Sequence, residues 1–371
     1  MADQQHYSPG LEGVIAAQTR ISFLDLQNEE IVVRGYNLLE LIERARYVEV
    51  VGLLLDEQFP TPERCSELES QMVQAEVPEL VYEILAKLPA RMHAMDRLRT
   101  AVSALAAADP DANTADPDAE RAKAPRLIGH IAQIVANLTR CAHGEKPRSF
   151  EPGRSFAENF LRTLVAREVT AAEVRAFEQS LIAYSEHELP NSTFAARVVA
   201  STLADAYGAL TAAVASLKGP LHGGANEAVM EMLLEAQTAD RLEELIRHKL
   251  ARKERIMGFG HRVYMRRMDP RALLLKRTLQ ELVNARGSGT ELVAMCQRGE
   301  DVMRTEKGLY PNLDYYAAPV YYLLGIPIEL YTPIFFAARS AGLLAHIIEQ
   351  HQDNRLYRPR VLYTGPRGLK V

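Results

Sequence analysis

A chain of 371 residues, 47% apolar and with a formal charge of −5, has room for two packed domains and gives no sign of a polyanion-binding protein. Three scattered cysteines form no CxxC pair and leave an odd count, which points to a reducing compartment and away from a disulfide scaffold. Residues 1–6 carry no apolar signal core, and the most apolar stretch, 320–338, is interrupted by Pro327, Glu329 and Pro333; a cytoplasmic protein with no membrane or nucleic-acid partner is expected.

Short strands are predicted at residues 13–16, 21–24 and 31–34, with a turn at 28–30, because these segments alternate apolar and polar side chains. Everything beyond Gly35 reads as helix, so the fold class is mainly α. Asn37 caps a first helix, residues 48–55 form a buried one, and Thr61 followed by Pro62 opens a third that runs to about Gln74. A helix at 95–107 precedes residues 108–124, whose Asp, Ala and Pro show no apolar period and read as an exposed loop. Further helices are predicted at 126–141, 155–165, 171–186, 227–236, 239–252, 270–285, 292–306, 315–324 and 334–352. Between them, residues 193–217 are crowded with Ala, Ser, Thr and Gly, which let helix backbones approach closely; a buried helix interface is expected there.

Three polar residues stand out against this helical background. His222 lies in the glycine turn 219–226 (GPLHGGAN), His261 follows Gly258, Phe259 and Gly260, and Asp314 lies between Pro311 and the pair Tyr315, Tyr316. If they converge, they form an acid/base set. A carboxylate removes a proton from carbon beside a carbonyl, and a neutral histidine stabilises the enolate by donating a hydrogen bond. His222 precedes a helix that starts near Asn226, and a helix N-terminus disfavours the imidazolium. His261 polarises the carbonyl of the electrophile in the same way. Arg271, Arg339 and Arg358 suit a small dianionic substrate, with His187 as a further donor.

Each residue has a plainer reading. A lone histidine beside a glycine turn is more often structural, and an Asp before a helix is more often a cap. The two histidines lie far apart with no HExxH or HxD pair, which disfavours a metal site, and the glycines near His222 lack the Lys and Ser/Thr of a phosphate loop. A helical binding protein without chemistry remains an alternative.

Taken together, residues 219–226, 258–264 and 311–314 and the run 185–197 resemble the citrate synthase family, in order and over nearly the whole chain. The likeness is greatest to the short bacterial enzymes that act as citrate synthase, 2-methylcitrate synthase or both. The resemblance implies a two-domain helical homodimer, with 1–223 and 325–371 in a large domain and 224–324 in a small domain that closes over the substrate. It implies a C-acyltransferase condensing oxaloacetate with acetyl-CoA, propionyl-CoA or both, the acyl-CoA being a co-substrate and no cofactor or metal being permanently bound. Asp314 becomes the base, His222 the enolate stabiliser and His261 the partner of the oxaloacetate ketone. His187, Asn191, Arg271, Arg339 and, from the partner subunit, this chain's counterpart of Arg358 hold oxaloacetate. Ile256, Met257, Gly258, Phe259 and Gly260 cradle the adenine of CoA. One extra residue between His261 and Asp269 brings Arg266 or Arg267 towards the CoA phosphates. The long family members' extra N-terminal domain is not seen, so no NADH inhibition is expected. A citryl-CoA lyase would share the fold, but its ATP-dependent form needs an activating domain.

Overall fold

The computed structural model describes residues 7–25, 30–260 and 267–370. Near the N-terminus, β1 (Ser22–Asp25), β2 (Glu30–Val33) and β3 (Tyr36–Asn37) form an antiparallel sheet in that order, with Phe23 opposite Val32 and Val33 opposite Tyr36. Its alternation buries Leu24, Ile31 and Val33 and leaves Phe23 exposed. Residues 13–16 are not a strand: no strand runs beside them among the described residues, and Ile15 is 91% exposed. The third strand, β3, had read as the approach to a helix. The predicted turn falls largely on residues 26–29, outside the described residues.

Helices follow as α1 (Leu38–Arg44), α2 (Tyr47–Asp56), α3 (Pro62–Val73), α4 (Glu79–Lys87) and α5 (Ala94–Leu105). Asn37 caps α1 by accepting the Leu39 N–H at 2.9 Å, and Thr61 caps α3 ahead of Pro62. Then come α6 (Pro117–Ala142), α7 (Phe156–Val165), α8 (Ala171–Ser185), α9 (Asn191–Ala200) and α10 (Ala206–Leu217). The loop expected over 108–124 is half helix. Asp116 accepts the Ala119 N–H at 2.9 Å with Pro117 at the first helical position, the same start as at Thr61. The first turns of α6 are polar because they bind neighbouring loops: the Lys123 ammonium donates to the Asp111 carbonyl at 3.0 Å. The small residues of 193–217 lie in α9 and α10, which pack on one another and bury Ala196, Ala200, Ala209 and Ala213. Helix α4 was not anticipated.

The chain closes with α11 (Ala225–Ala236), α12 (Ala239–Ala251), α13 (Pro270–Arg286), α14 (Thr290–Lys307), α15 (Leu313–Leu324) and α16 (Tyr331–Gln352). Helix α16 is buried nearly all round against α2, α6, α8, α9 and α10, as befits a helix apolar on every face. Its C-terminal turn is fixed by His351, whose Nδ1 and Nε2 lie 2.7 Å from Glu120 on α6 and 3.0 Å from the Ala200 carbonyl on α9. Helices α11 to α15 pack chiefly on each other, α12 on α14 and both α11 and α13 on α15. They meet the rest where α13 and α15 touch α8 and where Glu227 accepts the Thr332 N–H at the start of α16. No helix among the described residues is long and apolar enough to cross a membrane.

Candidate active site

A cleft of about 860 Å³ opens where the C-terminal end of α8, the starts of α11, α13 and α15, and α16 converge. His187, Asn191, His222, Arg271, Asp314 and Arg339 all line it, although they come from five separate stretches of sequence. Met257, Gly258, Phe259 and Gly260 line it too; Ile256 is buried behind them. His261 and Arg266 lie outside the described residues, and Arg267 is exposed. Arg358 follows α16 in an exposed segment without regular structure and does not line the cleft.

Close backbone packing positions His222. Its own N–H donates to the Gly219 carbonyl, and the next N–H, of Gly223, reaches the Leu217 carbonyl at 3.0 Å. A Cβ on Gly223 would sit 2.3 Å from that oxygen, so only glycine allows the turn. The ring is held by Ser192: the Ser192 backbone N–H donates to Nε2 at 3.3 Å, and the hydroxyl lies 2.9 Å from the same atom. A backbone N–H can only donate. Nε2 is therefore the unprotonated nitrogen, and Nδ1 carries the hydrogen. Burial, with Arg339 nearby, lowers the imidazole to about 4, so the ring stays a neutral donor.

Asp314 is placed by a clasp between two loops. The Asn312 N–H donates to the Gly258 carbonyl at 2.9 Å, the Gly260 N–H to the Tyr310 carbonyl at 2.9 Å, and the Asn312 side chain to the Gly260 carbonyl at 3.1 Å. Gly258 has φ +85°, and a Cβ there would meet Val229 at 2.5 Å. Asn312 also caps α15 by accepting the Asp314 N–H. The segment from Gly258 to Gly260 and the Asp314 carboxyl thus share one framework. Burial raises the Asp314 carboxyl to about 6 against the opposing donation of the Tyr184 hydroxyl, which sits 2.6 Å from Oδ1. An ionisable group so shifted in a cleft is a functional-site candidate.

Arg339 is 3% exposed, and burial lowers its guanidinium to about 10 despite the opposing Glu186. Its Nε donates to the Tyr184 carbonyl and its plane lies 5.0 Å over the Phe335 ring, which leaves both Nη groups for a ligand. Arg271 is as deeply buried, but Asp269 already engages it in a two-point pair, Nε to Oδ1 at 3.1 Å and Nη2 to Oδ2 at 2.7 Å. It is a neutralised neighbour of the site as well as a cation. Asn191 accepts the Ser216 hydroxyl at 2.6 Å at the start of α9. Below His187, the buried Glu186 accepts from Ser22 at 2.8 Å and meets His346, which accepts in turn from Arg197. Among the described residues no group of three His, Cys, Asp or Glu could hold a metal ion.

Tyr184, Ser192, Asp269, Asn312 and Phe335 escaped the sequence reading. Ser192 lay inside the run 185–197 and Asn312 inside 311–314, so motif membership was an available signal for those two. Tyr184, Asp269 and Phe335 had only helical spacing and proximity to the motifs.

A family model described as "Citrate synthase, C-terminal domain" matches residues 10–360. The chain is 53% identical to the "Citrate synthase" of Heyndrickxia coagulans, covering 100% of both chains, and 53% identical to the "Citrate/2-methylcitrate synthase" of Bacillus subtilis strain 168, covering 99% of each. Among solved structures it is similar to the ternary complex of Thermoplasma acidophilum citrate synthase with carboxymethyl coenzyme A and oxaloacetate. The TM-score is 0.93 at 33% identity, over 99% of this chain and 98% of that one.

Proposed function

The chain belongs to the citrate synthase family, and from that premise we propose how its own residues carry out the reaction. The protein is a C-acyltransferase that condenses oxaloacetate with acetyl-CoA, propionyl-CoA or both, giving citrate or 2-methylcitrate and free CoA. The observation that carries the assignment of roles is the convergence in one cleft of a buried carboxyl raised to about 6 and a neutral imidazole with its Nδ1 hydrogen free.

Asp314 takes a proton from the acyl α-carbon, and the His222 Nδ1–H donates to the thioester oxygen as the enolate forms. The enolate carbon then attacks the ketone of oxaloacetate, whose oxygen His261 is assigned to polarise by the family resemblance alone. Arg339 pairs with a carboxylate of oxaloacetate, with His187, Asn191 and Arg271, the last held by Asp269, in the same cleft lining. Water finally cleaves the citryl-CoA thioester and releases the thiol. Residues 224–324 are assigned the closing motion that keeps water from the enolate, supported by the way α11 to α15 pack mainly on each other. Residues 256–260 are assigned the adenine of CoA.

The active form is proposed to be a homodimer. Support comes from the exposed C-terminal segment, where Arg358 lies among Leu356, Val361, Leu362 and Tyr363, each more than half exposed. Arg358→Ala is expected to weaken oxaloacetate binding. Mixed heterodimers with an Arg339→Ala subunit regain activity, because one of the two sites is then intact. No recovery in confirmed heterodimers would place each site within one chain.

The reaction itself is tested by release of free CoA thiol with oxaloacetate and either acyl-CoA. Acetyl and propionyl differ by one methylene, worth about 1–3 kcal/mol in a pocket, or roughly 10–200-fold. The expected result is release with both at kcat/KM within about a hundredfold; release with neither refutes the assignment.

A further inference from the structure

Tyr184 lies in the last turn of α8 and touches three parts of the site. Its hydroxyl donates to Asp314 Oδ1 at 2.6 Å, its carbonyl accepts from Arg339 Nε, and its ring packs tilted against Phe335 with centroids 4.4 Å apart. Phe335 in turn lies under the Arg339 guanidinium and edge-on to the His222 ring, 6.3 Å away. Full burial holds the phenol far above its ordinary range, so the shared hydrogen belongs to tyrosine and the carboxylate accepts it. A hydroxyl donating to a carboxylate is a charge-assisted bond of the stronger kind. It favours the ionised acid and fixes the plane of the carboxylate.

We propose that Tyr184 is a positioning residue for the base: its hydroxyl occupies Asp314 Oδ1, so that Oδ2 is the oxygen that removes the α-proton, and it keeps the carboxylate ionised at working pH. The inference rests on Asp314 acting as the base. A buried carboxyl without this donor would be protonated over more of the neutral range. Among the described residues, the other groups facing Asp314 or lining the same cleft are Arg271 and Asp269 at the start of α13, Arg339 on α16, His222 before α11, His187 after α8 and Tyr321 on α15. Arg339 at about 10 and His222 at about 4 titrate too far away to mimic an acid limb set by Asp314. Tyr184 therefore controls the pH range of the first step without touching either substrate's reacting carbon.

The test is the pH profile of kcat/KM for acyl-CoA at saturating oxaloacetate. In Tyr184→Phe, which keeps the ring on Phe335, the acid limb is expected to move to higher pH by about one unit, with a several-fold lower plateau and an unchanged KM for oxaloacetate. Replacing Tyr184 by 3-fluorotyrosine makes a stronger donor and is expected to move the limb the other way. A limb that stays put in both proteins, or moves down in the Phe variant, overturns the proposal. Should the Phe variant fail to fold, the fluorotyrosine protein decides alone: an unmoved limb refutes the idea. Proton exchange in Asp314→Asn separates the two readings, since its retention removes the base whereas its loss, beside an unmoved Tyr184 limb, removes only Tyr184.

Discussion

Asp314→Asn is expected to lower kcat by about 10²–10⁴-fold, the range that a positioned general base supplies. The amide keeps the shape of the side chain and accepts the Tyr184 hydroxyl through its carbonyl oxygen, so the Asn312 cap and the start of α15 should survive. What disappears is the proton acceptor. Exchange of the acyl α-proton with solvent should fall with kcat, while oxaloacetate binding, which depends on Arg339 across the cleft, stays nearly intact. Retained exchange removes Asp314 from the role of base. The unaltered protein carries a linked expectation. Burial lifts this carboxyl from its ordinary value to about 6, and only the ionised form accepts a proton, so kcat/KM should fall as pH drops through about 6 rather than through about 4. Since His222 stays neutral down to about 4, it adds no limb of its own over this range.

His222→Ala should cost about 10²–10³ in kcat, comparable to the loss of one oxyanion-hole donor, or about 2.7–4 kcal/mol of transition-state stabilisation. The Nδ1–H meets negative charge only when the enolate forms, so substrate binding should change far less than turnover. Exchange of the α-proton should also slow, because the same donor stabilises its product. Exchange at the native rate with slow condensation would move His222 out of the first step. Ser192→Ala offers no substitute for this test, since its backbone N–H still reaches Nε2 and still selects the tautomer.

Much of the site was legible because its chemistry lies in loops with unusual residues. Glycine at 223 answers to the close Leu217 carbonyl and glycine at 258 to a positive φ against the Val229 and Tyr315 side chains, and the histidines near these turns were therefore conspicuous. The caps Asn37 and Thr61 are local in sequence, as hydrogen bonds between residues two or three apart must be. Asp116 with Pro117 carried the same signal, but the polar first turns of α6 hid the apolar period that would have supported it. Residues 13–16 failed for the opposite reason: alternation was present and a partner strand was not.

By itself, the sequence determined a mainly helical chain, most helix starts, and the candidates His222, His261, Asp314, His187 and Arg339. Those features depend on residue type and short spacing, which the chain carries along its length. Only the tertiary structure decided that Tyr184 holds the carboxylate, that Ser192 selects the tautomer of His222, that Asp269 already engages Arg271, and that Arg358 does not line its own cleft. Each joins segments or orients a side chain in space. Such contacts depend on burial and on distances across packed helices, which no local spacing records.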